Sequence, residues 1–171
     1  LGGSTKQVVT VDLERSTGGR ALMLRGDENA YDVASPMDEI VSVAVDMQGS
    51  SGYAGGKMLR PLSAATSTGS NSSVLTPGTT GAGGTTSGGV AHLHLTAAST
   101  LGSLTAKVQH STSGSSWADL VTFTAATAET FQRSTVSGTV KERLRSSIVT
   151  FSGGAGASAT LAVAFSRRVR T

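Results

Sequence analysis

The chain is 171 residues long, with 37% apolar and 15% charged residues, 22 glycines, three prolines and a net charge of +3. Such a length suits one large or two small domains with a genuine core, and so few prolines argue against a Pro-rich disordered linker. The absence of cysteine excludes disulfide staples, thiolate catalysis and a Cys-based zinc site. No apolar run approaches the ~20 residues of a membrane helix, and the first residues do not read as a charged-then-apolar signal segment.

In chain order, "QVVTVDL" (residues 7–13) reads as a strand, "STGG" (16–19) as a turn and residues 21–24 as a second strand paired across it. Residues 25–38 are polar and acidic and are expected to form a loop closed by Ser35-Pro36. Residues 39–48 follow as a third strand, with Val41, Val43, Val45 and Met47 on one face and Ile40, Ser42, Ala44 and Asp46 on the other. The three predict one antiparallel sheet, near the lower limit of independent stability. Residues 63–89, "SAATSTGSNSSVLTPGTTGAGGTTSGG", are low-complexity and read as a flexible connection or extended loop.

Beyond Gly89 the pattern changes to short strands. "VAHLHLTA" alternates Ala91, Leu93 and Leu95 against His92 and His94; "SLTAKVQHS" alternates Leu104, Ala106, Val108 and His110 against Thr105, Lys107 and Gln109. A turn containing Gly114 leads to "WADLVTFTA", where Trp117 is the large aromatic anchor. Residues 132–140 and 143–151 read as two further strands and "SGGAGAS" as a turn. "ATLAVAF" closes the pattern, with Leu161, Val163 and Phe165 opposite Ala162 and Ala164. Short strands with turns every 8–12 residues predict a β-sandwich, and no 3.6-residue period predicts a helix of any length. The expected fold is therefore all-β: a partial antiparallel sheet over residues 1–62, a linker or extended loop over 63–88 and a sandwich over 89–171.

Chemistry-bearing patterns are sparse. His92 and His94, at spacing i, i+2, share a strand face and have the geometry to chelate a metal if a third ligand joins them; His110 on a neighbouring strand is the candidate. Histidines alternating with buried leucines are ordinarily solvent-facing, and that is the expectation here. No G-x-S-x-G elbow is present, and the Gly-rich run lacks the Lys-Ser/Thr of a P-loop. Arg25-Gly26-Asp27 and the sequon Asn71-Ser72-Ser73 read as chance matches. Aromatics are only 4% of the chain, which argues against a stacking platform for single-stranded nucleic acid and leaves few for an open sugar-binding face. Residues 1–88 carry 6 basic and 8 acidic groups and residues 89–171 carry 8 and 3; the closing Arg167, Arg168 and Arg170 read as a solvated basic end. No catalytic, cofactor-binding or metal-binding residue is assigned, no cofactor is implied, and an enzyme is not expected.

Two segments carry a resemblance. "SPMDEIVSVAVDMQGSSG" resembles the end of the conserved domain in a family of tail tube proteins common among bacteriophages of actinobacteria. "GGVAHLHLTAAST", with the "VQHS…SG..WADLV.F", "QR..V.GTV", "RLR" and "AVAF.RR" runs, resembles the β-sandwich that some members carry after the tube domain. The resemblance implies a virion structural protein, made in the host cytoplasm and placed in the tail. Its subunits would form rings that stack into a tube. The implied partners are further copies of the chain, other tail proteins and DNA passing through the lumen without specific binding; no membrane is implied. A full tube domain has more residues before residue 1, so only its final strands are expected here. The alternatives are a capsid decoration or minor tail protein and, from another class, a carbohydrate-binding adhesion module using a face near an exposed Trp117.

Overall fold

A computed structural model describes residues 7–34, 42–70 and 84–167, with side chains described at 7–26, 54–70 and 84–167. Eight strands follow one another: β1 (Gln7–Asp12), β2 (Arg20–Ala34), β3 (Ser42–Ala65), β4 (Gly69–Ser70), β5 (Gly89–Ser111), β6 (Ala118–Thr122), β7 (Thr130–Val136) and β8 (Arg143–Arg167). All pairings are antiparallel, the order is β1-β2-β3-β8-β5-β6, and β4 joins β8 while β7 joins β5. The described residues contain no helix, and the all-β class expected from the alternation holds.

The architecture rests on β5 and β8, which pair from Gly89↔Arg167 through to Ser111↔Arg143. The sequence pattern suggested four strands and the turn "SGGAGAS" here; the molecule instead has two strands that bend. Register shifts cluster between Leu95 and Ser103, and each such irregularity kinks the ladder and increases its twist. Thr100 sits at φ 45 beside them. A Cβ on Gly153 would lie 2.4 Å from the Thr100 carbonyl oxygen, so only glycine lets the two backbones pass there. Glycines in that run therefore accommodate a bend within a continuous ladder rather than ending it.

The bend folds each strand over itself. Ala91, Leu93 and Leu95 from one half of β5 face Leu104, Ala106 and Val108 from the other, in one core with Leu144, Ile148, Leu161, Val163 and Phe165. The last residue of β8 reaches back to the segment that leads into its start: Arg167 donates Nη2 hydrogen bonds to the Lys141 and Glu142 carbonyls. This half-buried arginine corrects the expectation of a solvated end at position 167; residues 168–171 lie outside the described residues. Gly69 and Ser70 pair with Ile148 and Ser147, and Thr85 bridges Val140, so both flanks of the Gly/Ser/Thr stretch are tied into the fold.

One polar atom in this core is unmatched. Ser146 is buried between Leu144 and Ile148 on β8, and its Oγ has no hydrogen-bond partner among the described residues. An unsatisfied buried hydroxyl is destabilising by about 1–3 kcal/mol. Ser146→Ala is therefore expected to raise the urea midpoint, by the equivalent of about 1 kcal/mol; a lower midpoint would contradict the assignment.

The opposite face of the β8–β5 layer is also covered. β3 joins β8 through Lys57↔Phe165 to Ala65↔Ala159, with β2 and β1 beyond it. This run curls so far that β1 contacts β7, which joins β5 on the far side of β8. Ala21, Met23, Met58, Val90, Ala162 and Ala164 fill the inside of the curl as a second core. Small alanines on β8 leave room for the two methionines, whose flexible thioethers fill irregular space.

The first half of the chain departs from the expected layout at two places. β2 continues in strand form through Ala34, where a loop was expected from residue 25. β3 starts at Ser42 and runs to Ala65, not ending at Gln48; the expected Ser35-Pro36 and residues 39–41 lie outside the described residues. Cross-strand pairing keeps Gly49, Gly55 and Gly56 extended against Gly26, Leu22 and Ala21, although glycine has little strand preference of its own.

Candidate functional site

Three places bring polar groups together. The first lies inside the curl. β5 carries His92 and His94 on the face opposite Leu93, and the β8 neighbours there are Ala164 and Ala162. β1 arrives over them, presenting Thr10, whose register partner is Met23. Thr10 Oγ1 lies 3.0 Å from His92 Nδ1 and 2.9 Å from His94 Nε2. The rings meet edge-on with centroids 6.1 Å apart, and Phe131 of β7 packs 5.4 Å from His94.

His92 is only 1% exposed, which overturns the solvent-facing expectation. Alternation correctly separated it from the leucine face, but the curled β1–β2 hairpin buries the second face as well. Burial lowers the His92 pKa to about 4, with the neighbouring His94 and Arg133 adding to the effect. Burial also lowers His94. His110 is elsewhere: its Nδ1 accepts from the Lys141 amide at 3.3 Å, and burial followed by the Lys141 charge lowers its pKa. The three histidines considered as a metal set are thus not brought together, and no group of three or more His, Asp or Glu side chains is arranged to hold a metal among the described residues.

The second place is the outer face of the β6–β5–β8 layer. Lys107 donates to Asp119 at 2.6 Å, Gln109 donates to the same carboxylate at 2.8 Å, and Arg145 Nε donates to Gln109 at 2.8 Å. The Lys107 and Gln109 hydrogen bonds hold the Asp119 carboxyl below its ordinary value. The Arg145 guanidinium stacks 4.3 Å above the Trp117 ring, a cation–π contact, while Trp117 Nε1 donates to the Gly114 carbonyl. Trp117 is half-buried with one face under Arg145. The array ties three strands together and does not offer the open ring that a sugar platform needs.

The third place is a matter of backbone and charge. β1 pairing with β2 stops at Gly26, and β3 pairing with β8 begins only at Lys57. Residues 27–34 and 42–49 are therefore a two-stranded ribbon with no third strand on either side among the described residues. Residues 27–53 contain six of the chain's 11 acidic residues, Asp27, Glu28, Asp32, Asp38, Glu39 and Asp46, and none of its 14 basic ones. The acidic character of residues 25–38 is visible in the sequence, but it becomes meaningful only once the pairing is known. Arg25 and Gly26 lie in β2, with Gly26 buried and paired on both sides, so the Arg-Gly-Asp tripeptide is strand and not a displayed loop. Residues 71–73 lie outside the described residues.

No family model, no curated protein and no solved structure matches the chain. The fold defines the class: an all-β protein built as one antiparallel sheet of eight strands.

Proposed function

We propose that this chain is a virion structural protein of the tail tube type, working by self-assembly into stacked rings. The observation that carries the reading is the acidic ribbon formed by residues 27–34 and 42–49. Two-stranded ribbons are marginal by themselves in water, and unpaired strand edges are templates for another chain. Neighbouring copies in a ring supply those edges by continuing the sheet from subunit to subunit. A wall rich in carboxylates also repels a DNA backbone and lets it slide. Residues 42–49 of the "SPMDEIVSVAVDMQGSSG" resemblance lie in the same ribbon, and the β5–β8 body serves as the outward module.

Electron microscopy of the purified protein and of particles labelled on this chain tests the reading. Rings or stacked tubes, with label along the tail, are expected. A protein that stays monomeric at high concentration, or label distributed over the head as for a decoration protein, would overturn it. DNA retention that persists at high salt counts against a lumen wall, since backbone contacts made by charge alone weaken steeply with salt.

A further inference from the structure

We propose that His92, Thr10 and His94 form an acid-released latch, which holds β1 across the seam of the curl at neutral pH and lets it go when the ring pair is protonated. The proposal is independent of the tube reading and concerns the folded chain by itself.

The seam is unusual in how it is closed. β1 and β7 come into contact, yet β1 has a backbone ladder only to β2 among the described residues. Two groups of β1 reach the rings on the far side: the Val9 carbonyl at His92 and the Thr10 hydroxyl, which alone is bonded to both rings, more than 80 positions away in the chain. A hydroxyl has one proton and two lone pairs. Between two neutral imidazoles it is matched when the His94 Nε2–H donates to Oγ1 and the hydroxyl donates to His92 Nδ1, a proton placement assigned from the bonding pattern. Adding a proton to His92 Nδ1 ends that match. Two N–H groups then point at one oxygen, and the hydroxyl hydrogen is turned away inside a buried site, where an unmatched polar group is destabilising.

The surroundings offer little to offset the new charge. From β8 the pair faces Ala162 and Ala164, and Met23 and Met58 of β2 and β3 fill the same cavity. From β7 it faces Phe131 and Arg133, whose charge disfavours a second cation. From β1 the Val9 carbonyl favours the protonated ring, but Asp12, the nearest carboxylate on that strand, is committed through Oδ1 to the Glu14 and Arg15 amides. Phe131 is largely exposed, so water has a route to the seam beside His94.

The direction of the effect follows from linkage. Closed, His92 binds a proton only near pH 4; released, it does so near the ordinary 6.5. The closed form is therefore at full strength above about pH 6.5 and loses ground as pH falls toward 4. By pH 4 this shift moves the open-to-closed ratio by a factor on the order of 10².

Amide hydrogen exchange by NMR, expressed as protection factors so that the intrinsic pH dependence is removed, reads the latch directly. Between pH 7.5 and 4, protection in β1 is expected to fall at least tenfold while Leu93, Leu161 and Val163 keep theirs. A dye that binds exposed apolar surface should brighten over the same range as Met23 and Met58 are uncovered. His92→Gln, which cannot gain the charge, should abolish the pH response, whereas His110→Gln should leave it intact. Thr10→Val, at a half-buried strand position that tolerates the change, should show weakened β1 protection already at pH 7.5, and Thr10→Ser should restore it. The proposal falls if β1 and the core lose protection together, if β1 is equally protected at both pH values, or if the response survives His92→Gln.

Discussion

Leu93→Ala is expected to lower the free energy of unfolding by about 3–5 kcal/mol, near the top of the range for truncating a buried leucine. The position explains the size. Leu93 is fully buried in the central strand, with Gln132 of β7 on one side and Val163 of β8 on the other. Both neighbours are held by their own ladders, so the surrounding strands have little freedom to collapse into the space left behind. Urea denaturation should show a large fall in midpoint with the slope unchanged. Leu62→Ala is the control: that side chain is 58% exposed and its removal should matter by less than about 0.5 kcal/mol. Equal effects at the two sites would mean that the core is placed wrongly.

Gly88→Ala is expected to be nearly as damaging, by about 3 kcal/mol or more, although it adds a single methyl group. Gly88 has φ +77, a left-handed conformation that is strained by about 1–3 kcal/mol for a residue with a side chain. A Cβ there would also lie 2.0 Å from the Val136 carbonyl oxygen. That oxygen belongs to the end of β7, whose ladder with β5 starts at Gly89↔Val136, so the backbone cannot yield without unzipping the first pair. Thermal melts of Gly88→Ala should show a shift of many degrees; an unchanged melting temperature would place the turn elsewhere.

Much of the fold is legible in the alternation. Ala91, Leu93, Leu95 and Leu161, Val163, Phe165 are assigned to a buried face by period-two spacing, and all six lie in one core. The hairpin between β1 and β2 is likewise marked, by "STGG" between two apolar runs. What misleads is glycine. In "SGGAGAS" it suggests a turn, and the small residues after Gln48 suggest the end of a strand, since glycine is the usual punctuation between strands. Here its lack of a side chain serves close passage and bending inside long ladders, a choice made by cross-strand neighbours that local sequence does not contain.

The candidate sites divide in the same way. His92 and His94 stand out in sequence as a pair on one face, but Thr10 does not; it is one of many threonines, and only the curl of β1 over β5 brings it to the rings. Arg145 and Trp117 are 28 positions apart and meet because β6 and β8 flank β5. The acidic run of residues 27–53 is visible by counting, yet its meaning depends on where β1 and β8 stop pairing.

The amino-acid sequence alone determined the all-β class, the apolar face of each strand and the lack of cysteine chemistry, because side-chain period and composition are local properties. The tertiary structure decided that four apparent strands are two, that the histidine face is interior, and that residues 27–34 and 42–49 of an acidic stretch form a ribbon with no third strand among the described residues. Those outcomes depend on which backbones meet across long separations, and backbone hydrogen bonds are nearly blind to the side chains that a sequence records.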